Sequence, residues 1–322
     1  MTTDTISRPP FDPELEAALV ALAGIYPTTV TPEMIEAMRQ PTPAEMTDAL
    51  LDSFGAERRD VVIPGHLGDE IVATVITARG RTGTGPGFYH THGGGMIVGD
   101  RFSGLDPFVE WAVRYNGVLV TVEYRLAPEF PDPYPVEDCY AGLVWTAEHA
   151  AELGIDLDRL IIGGASAGGG LAAGTALLAR DRGGPALAGQ MLIYPMIDDR
   201  DGTASSAQIQ GVGVWDRDSN RTGWRALLGE RCGGPEVSIY AAPARATDLS
   251  GLPPAFIDVG TAEVFRDEDV AYASAIWAAG GRAELHVWPG AFHGCDMMAP
   301  HAQISQEMRA ARDAWMRRLL GS

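Results

Sequence analysis

The clearest candidate for catalytic chemistry in the sequence is a serine set among small residues, in the run Gly164-Ala165-Ser166-Ala167-Gly168. An apolar run, residues 160–162, precedes it, and an alanine- and leucine-rich segment, residues 171–180, follows it. This G-x-S-x-G pattern predicts a sharp turn from a strand into a helix, which exposes the serine hydroxyl as a nucleophile. At the N-terminus of that helix, the backbone N–H of Ala167 can face a developing oxyanion.

Two other interpretations exist for a glycine-rich turn between a strand and a helix. A dinucleotide-binding loop needs G-x-G-x-x-G, and Ser166 occupies the position of the second glycine, so that pattern fails. A purely structural turn stays open at this point, because turns of small residues are common. The nucleophile interpretation requires an acid and then a histidine later in the chain, and a second oxyanion donor upstream.

The upstream donor is predicted at His92-Gly93-Gly94-Gly95, which follows a short predicted strand, residues 88–92. Backbone without side chains can approach a ligand closely, and HGGG-type loops supply an oxyanion-hole amide in lipases and esterases. His90 and His92 would share a strand face, as a metal-binding pair can. Three glycines follow them instead of a carboxylate, so we expect no metal site here.

Five acidic residues downstream of the serine could orient a histidine. They are Asp258, Glu263, Asp267, Glu268 and Asp269. Asp258 falls inside a predicted strand, and Asp267 to Asp269 are predicted to open a helix, where acids are favoured by the helix dipole alone. Glu263 falls in the loop after the strand, at the sheet edge where a triad acid belongs. We predict Glu263 as the acid, with Asp267 as the alternative.

The base must follow the acid, which leaves three of the seven histidines, His286, His293 and His301. His286 falls inside a predicted strand, as a packed strand residue. His301 begins the predicted closing helix, which it could cap. His293 lies in a glycine-bracketed loop after the last predicted strand, and we predict it as the base.

Strands and helices alternate along most of the chain at the spacing of βαβ units. This predicts a mostly parallel central sheet flanked by helices. Residues 11–55 show helical spacing broken by prolines, which fits either a cap over a site or a structural extension. Residues 198–250 break the alternation, and we predict a cap-like insertion at the strand ends. Trp215 and Trp224 within it could line a pocket or simply pack.

Composition excludes several classes of function. The 322 residues carry 24 basic and 43 acidic side chains, a net charge of −19, which repels nucleic acid and anionic membranes. The chain contains no lysine, so Schiff-base and P-loop chemistry are excluded. Cys139, Cys232 and Cys295 are too dispersed for a disulfide framework. Since neither a membrane span nor a signal peptide is visible, we expect a cytoplasmic protein.

From about residue 57 onward, the chain resembles the hormone-sensitive-lipase-like branch of the α/β-hydrolases. The motifs that carry the resemblance are His92-Gly93-Gly94-Gly95, Glu123-Tyr124-Arg125-Leu126-Ala127-Pro128-Glu129 with Pro135-Val136-Glu137-Asp138, Gly164-Ala165-Ser166-Ala167-Gly168-Gly169 and Phe292-His293-Gly294. Residues 238–243 and 245–249 are also similar to bacterial heroin esterases of this branch. The resemblance implies an N-terminal helical cap at residues 1–55, a catalytic domain at residues 56–322, and an oxyanion hole formed by Gly94, Gly95 and Ala167.

The acid motif departs from the pattern of the branch, which is Asp-Pro-Leu-Arg-Asp-Glu. The matching run here is Glu263-Val264-Phe265-Arg266-Asp267-Glu268, so a glutamate stands where the branch has an aspartate. The extra methylene changes the reach of the carboxylate and not its charge, and both acids serve in this fold.

The sequence therefore predicts a serine carboxylesterase that hydrolyses small, short-acyl esters through Ser166, His293, Glu263 and an acyl-enzyme. It needs no cofactor or metal, and the resemblance implies a homodimer. One alternative is a lactone or amide hydrolase with the same triad. Another is a binding protein like the plant gibberellin receptors, which resemble this branch without the catalytic histidine; His293 is present here.

Overall fold

An eight-stranded sheet forms the centre of the computed structural model, which describes residues 7–321. Residues 1–6, which belong to the predicted cap segment and to the region searched for a signal peptide, lie outside the described residues. The strands are β1 (Ala56–Pro64), β2 (Glu70–Ala78), β3 (Gly85–Thr91), β4 (Val118–Val122), β5 (Ile155–Ala165), β6 (Gly189–Ile193), β7 (Ala255–Gly260) and β8 (Ala283–Trp288).

The strand order is β1-β2-β4-β3-β5-β6-β7-β8. Strand β2 pairs antiparallel with β1 and with β4, and every other neighbouring pair is parallel. The prediction of a mostly parallel sheet is confirmed. Strands β3, β4, β6 and β7 are buried along their whole length. Both faces of these strands are covered, and β4, Val-Leu-Val-Thr-Val, is accordingly a nearly continuous apolar run and not an alternating one.

Twelve α-helices complete the part of the chain between residues 7 and 321. They are α1 (Pro13–Leu22), α2 (Ile35–Met38), α3 (Ala44–Phe54), α4 (Asp106–Arg114), α5 (Tyr134–Glu148), α6 (Ala150–Leu153), α7 (Ala167–Asp181), α8 (Ala204–Gln208), α9 (Arg217–Leu228), α10 (Arg266–Ala278), α11 (Cys295–Met298) and α12 (Gln303–Leu320). Within the described residues, no helix is both long and apolar enough to cross a membrane.

Helices cover both faces of the sheet. Adjacent residues of β5 point to opposite faces, and a side chain added at Gly163 would meet Phe108 of α4, whereas one at Gly164 would meet Gly168 of α7. Helix α4 is joined to α12 by a hydrogen bond of 2.6 Å from Trp111 Nε1 to Asp313. The predicted arrangement of helices on both faces is therefore confirmed.

The segment before β1 runs over the edge of the sheet at which the parallel strands end. Its Asp12 N–H donates to the carbonyl of Gly290, after β8, at 3.0 Å. Val30 N–H donates to Ser219 Oγ in α9 at 2.8 Å, and Thr42 N–H donates to Asp100, after β3, at 2.6 Å. Helices α8 and α9 lie in the connection from β6 to β7 at the same edge.

Candidate active site

Ser166 occupies the turn between β5 and α7, with φ 59° and ψ −125°, a sparsely populated backbone conformation. A Cβ atom added at Gly164 or at Gly168 would clash with the carbonyl oxygen of Thr91, so glycine is required on both sides of the turn. The N–H of Ser166 donates to the carbonyl of Ile193 at 2.9 Å, which fixes the turn against β6.

The structure brings Ser166, His293 and Glu263 together in one chain of hydrogen bonds. His293 Nε2 lies 2.9 Å from Ser166 Oγ, and His293 Nδ1 lies 2.8 Å from Glu263 Oε2. The serine follows β5, the acid follows β7 and the histidine follows β8, so three separate connections supply one site at a single sheet edge. This geometry allows the imidazole to take the hydroxyl proton while the carboxylate holds its other nitrogen.

Glu263 is buried, with 1 % of its surface exposed. Burial raises the pKa of its carboxyl group, and the neighbouring His293 opposes that rise. Its Oε1 atom has no hydrogen-bond partner among residues 7–321. The hydrogen bond to His293 is therefore the main polar contact of this carboxylate. Poor solvation strengthens that hydrogen bond.

The alternative acid, Asp267, is engaged elsewhere. Its Oδ1 accepts from Arg266 Nε at 2.7 Å, and its Oδ2 accepts from the Ser205 N–H at 2.8 Å. Burial pushes the pKa of Asp267 upward, but these hydrogen bonds outweigh it and lower the pKa overall. The structure thus brings Glu263, and not Asp267, to the histidine.

The three remaining acidic candidates are buried at other positions. Asp258 is paired with Arg312, and Glu268 accepts hydrogen bonds from the N–H groups of Ile197 and Asp198 at 3.1 and 3.2 Å. Asp269 is buried, and neither of its oxygens has a partner within the described residues.

The two other candidate histidines lie outside the hydrogen-bonded chain. His286 lies in β8 and stacks on Phe256 of β7 and on Trp288 of its own strand, as expected of a packed strand residue. His301 is exposed, and Ala302 is the N-cap of α12, so the suggestion that His301 caps this helix is wrong. Helix α12 begins at Gln303, two residues later than predicted, which leaves the imidazole outside the cap position.

The predicted oxyanion donors lie beside the nucleophile. A Cβ atom at Gly93 would lie 3.5 Å from Ser166 Cβ, which places the glycine loop next to the serine. Gly94 and Gly95 have φ values of 111° and 63°, and a Cβ atom at Gly95 would clash with the Trp215 ring. Among residues 7–321, the N–H groups of Gly94, Gly95 and Ala167 donate to no acceptor. Three unpaired donors are therefore available at this place.

The histidines before the glycine loop are structural. His90 is buried between Thr121, which hydrogen-bonds to its Nδ1 at 3.0 Å, and the Phe108 ring, and burial lowers its pKa to about 3. His92 stacks on Tyr124 at 4.0 Å, and its Nδ1 contacts the Gly93 carbonyl at 2.8 Å. No group of three or more potential metal ligands occurs in the described part of the chain.

Sequence reasoning missed the aromatic residues that hold the histidine. The rings of Tyr194 and Phe265 meet the His293 ring edge to face, at centroid distances of 4.9 and 5.0 Å. Trp215, one of the two tryptophans singled out from the sequence, packs against Gly95 and Gly223, whereas Trp224 is buried with 1 % exposure. No spacing rule identifies Tyr194, because its place beside the histidine follows from pairing between β6 and its neighbours.

Comparison with known proteins identifies the family to which the chain belongs. A family described as alpha/beta hydrolase fold matches residues 88–297. Carboxylesterase NlhH of Mycobacterium tuberculosis is 36% identical over 303 residues, which cover 91% of each chain. The solved structure of a bacterial heroin esterase is 41% identical with a TM-score of 0.86, covering 97% of this chain and 98% of the other. Esterase LipW from Mycobacterium marinum is 30% identical with a TM-score of 0.81, covering 98% of both chains.

Proposed function

The chain belongs to the alpha/beta hydrolase fold family and is a carboxylic ester hydrolase, and we propose that it acts as a serine esterase with Ser166 as nucleophile, His293 as base and Glu263 as acid. The observation that carries this proposal is the chain of hydrogen bonds from Ser166 Oγ through both nitrogens of His293 to Glu263.

In the acylation step, His293 Nε2 accepts the Ser166 hydroxyl proton as Oγ attacks the ester carbonyl carbon. Glu263 keeps Nδ1 protonated and stabilises the imidazolium that forms. The tetrahedral intermediate then collapses, its bond to the alcohol oxygen breaks, and His293 returns the proton to the departing alcohol. The acyl group remains as an ester on Ser166.

Negative charge develops on the former carbonyl oxygen during this step. We assign its stabilisation to the N–H groups of Gly94, Gly95 and Ala167, which donate to nothing else in residues 7–321. In deacylation a water molecule loses its proton to His293 and attacks the acyl-enzyme, and the carboxylic acid leaves as Ser166 regains its proton.

We further propose that the segment at residues 7–55 and the insertion at residues 198–250 form a cap over this site. Supporting this, the two segments are joined by the hydrogen bond from Val30 to Ser219, and Trp215 of the insertion packs on Gly95. A tryptophan against the oxyanion loop restricts the space beside the nucleophile, which favours small, short-acyl esters.

The experiment is hydrolysis of a p-nitrophenyl ester series, from acetate to dodecanoate, by the wild type and by Ser166→Ala. We expect activity that peaks at short acyl chains and is abolished in the variant. Near-full activity of Ser166→Ala would overturn the proposal. A folded wild type that cleaved lactones or amides but none of the esters would keep the triad and change the substrate class.

A further inference from the structure

We propose that Arg312, acting through Asp258, Asp296 and Tyr194, is a positioning residue that holds the imidazole of His293 in line between Ser166 and Glu263. The inference deepens the proposed function and rests on it. Arg312 lies in α12 and forms no hydrogen bond or ion pair with the three triad side chains, so its effect has to pass through the residues it binds.

The contacts of Arg312 form a buried network. Its Nε donates to Asp258 Oδ2 at 2.9 Å, and its Nη1 donates to Asp296. Asp296 also accepts a hydrogen bond of 3.0 Å from the Tyr194 hydroxyl. Arg312 is 2 % exposed, and Asp258 and Asp296 are 0 % and 6 % exposed. Burial opposes the charge of Arg312, but the two aspartates outweigh it and raise the pKa of the guanidinium. The arginine is therefore charged at every working pH.

Each partner in the network lies close to a connection that carries a triad residue, either along the chain or through a backbone hydrogen bond. Asp258 lies in β7, five positions before Glu263, and Asp296 lies three positions after His293. Tyr194 follows Ile193, whose carbonyl accepts a hydrogen bond from the N–H of Ser166. The N–H of Tyr194 donates to the Asp258 carbonyl at 2.7 Å. One arginine of the last helix thus links the serine, acid and histidine connections.

Tyr194 transmits this link to the imidazole. Its ring meets His293 edge to face at 4.9 Å, with 71° between the ring planes. Because the contact is directional, a fixed tyrosine ring limits rotation of the imidazole and keeps Nδ1 towards Glu263. The alternative orientation would turn Nε2 away from Ser166 and stop the proton transfer.

Tyr194 is held by packing as well as by hydrogen bonding, and only 1 % of its surface is exposed. A cavity of about 360 Å³ lies behind the serine turn, and Ala165, Ile193, Tyr194 and Arg312 are among its lining residues. Asp296, which accepts a hydrogen bond from the Tyr194 hydroxyl, lines the same cavity. The hydrogen bond to Asp296, which Arg312 holds in turn, fixes the direction of the Tyr194 hydroxyl.

Tyr194→Phe tests the proposal, because it removes the hydroxyl and retains the ring. The matched control is Tyr89→Phe, which removes a buried hydroxyl that donates to the Cys139 carbonyl at 2.7 Å, away from the site. We expect kcat for p-nitrophenyl acetate to fall about 10- to 100-fold in Tyr194→Phe with KM nearly unchanged, since misplaced groups lower the rate of the chemical step. Tyr89→Phe should lose a similar amount of thermal stability and keep its kcat.

Arg312→Lys is the second variant, because it retains the charge while a single ammonium cannot replace the two-sided guanidinium. It should show the same loss in kcat, and adding Tyr194→Phe should lower kcat little further. Equal kcat values in Tyr194→Phe and Tyr89→Phe would overturn the proposal. Loss of activity in Ser166→Ala would, in that case, still support the serine mechanism, so the two failures are distinguishable.

Discussion

The ring of Phe11 packs edge to face against the ring of Phe292, at a centroid distance of 6.2 Å and an interplanar angle of 86°. Phe292 directly precedes His293, and Asp12 N–H is bonded to the carbonyl of Gly290 on the same connection. The segment before α1 is therefore fixed to the connection that carries the histidine.

We predict that Phe11→Ala lowers both activity and stability. Phe11 is 9 % exposed, and truncation of a buried phenylalanine costs about 3–5 kcal/mol. The loosened histidine connection should lower kcat about tenfold by misplacing the base. Ester hydrolysis and urea unfolding check both effects, with Ile25→Ala as control, because Ile25 is 71 % exposed. A destabilised Phe11→Ala with unchanged kcat would show that the contact with Phe292 serves folding only.

We predict that Glu263→Gln removes most of the activity and that Asp267→Asn does not. Glutamine keeps the shape of Glu263 but cannot stabilise the imidazolium, a change that lowers kcat by up to about 10⁴-fold in a serine triad. Asp267 binds Arg266 and Ser205 instead, so its amide variant should lose stability and retain the rate of hydrolysis. If Asp267→Asn were the inactive variant, the acid would be misassigned while the reaction stood.

We predict that Gly95→Ala impairs the oxyanion hole. The added methyl group would clash with the Trp215 ring and shift the Gly95 N–H, and loss of one such donor costs about 10²–10³ in kcat. Gly80→Ala is the control, because Gly80 also has a positive φ of 69° but open space around its Cα. It should share the backbone strain of about 1 kcal/mol and keep full activity. Similar kcat values in the two variants would argue against Gly95 as a donor.

We predict that Asp269→Asn stabilises the protein increasingly as the pH rises. Burial, followed by the charges of Glu268 and Glu263, holds the pKa of Asp269 well above its usual value. Between the ordinary pKa of an aspartate and this raised pKa, the folded state retains a proton that the unfolded state releases. The free energy of unfolding of the wild type therefore falls as the pH rises through this range.

Asparagine does not titrate. The free energy of unfolding of the variant should therefore rise relative to that of the wild type by up to about 1.4 kcal/mol per pH unit, between the pKa of Asp269 in the unfolded state and its raised pKa in the folded state. Urea unfolding at a series of pH values from 4 upward measures this slope, which is independent of any constant cost of burying the amide. A pH-independent difference in stability would contradict the assignment of a raised pKa to Asp269.

The fold and the chain positions of the candidate site were predictable because local rules govern both. Small residues around Ser166, the glycines after His92 and a loop histidine after the last strand each have a local cause in turn geometry. The order of strands then brings such loops to one edge, which alternation of strands and helices already implies.

The network beneath the site was not predictable in the same way. The position of Asp258 inside a strand argues against it as the triad acid but does not predict its partner, Arg312, which lies 54 positions away in the terminal helix. Phe11 and Phe292 are separated by almost the whole chain. Such contacts depend on the packing of distant elements, and neither composition nor periodicity records them.

The most direct test of the serine mechanism is mass spectrometry of the enzyme quenched during turnover of p-nitrophenyl acetate, followed by peptide mapping. The account predicts one acetyl group on the peptide that contains Ser166, formed with a burst of p-nitrophenol and absent from Ser166→Ala. Steady hydrolysis with no acetylated peptide, or an acetyl group on a residue other than Ser166, would contradict it.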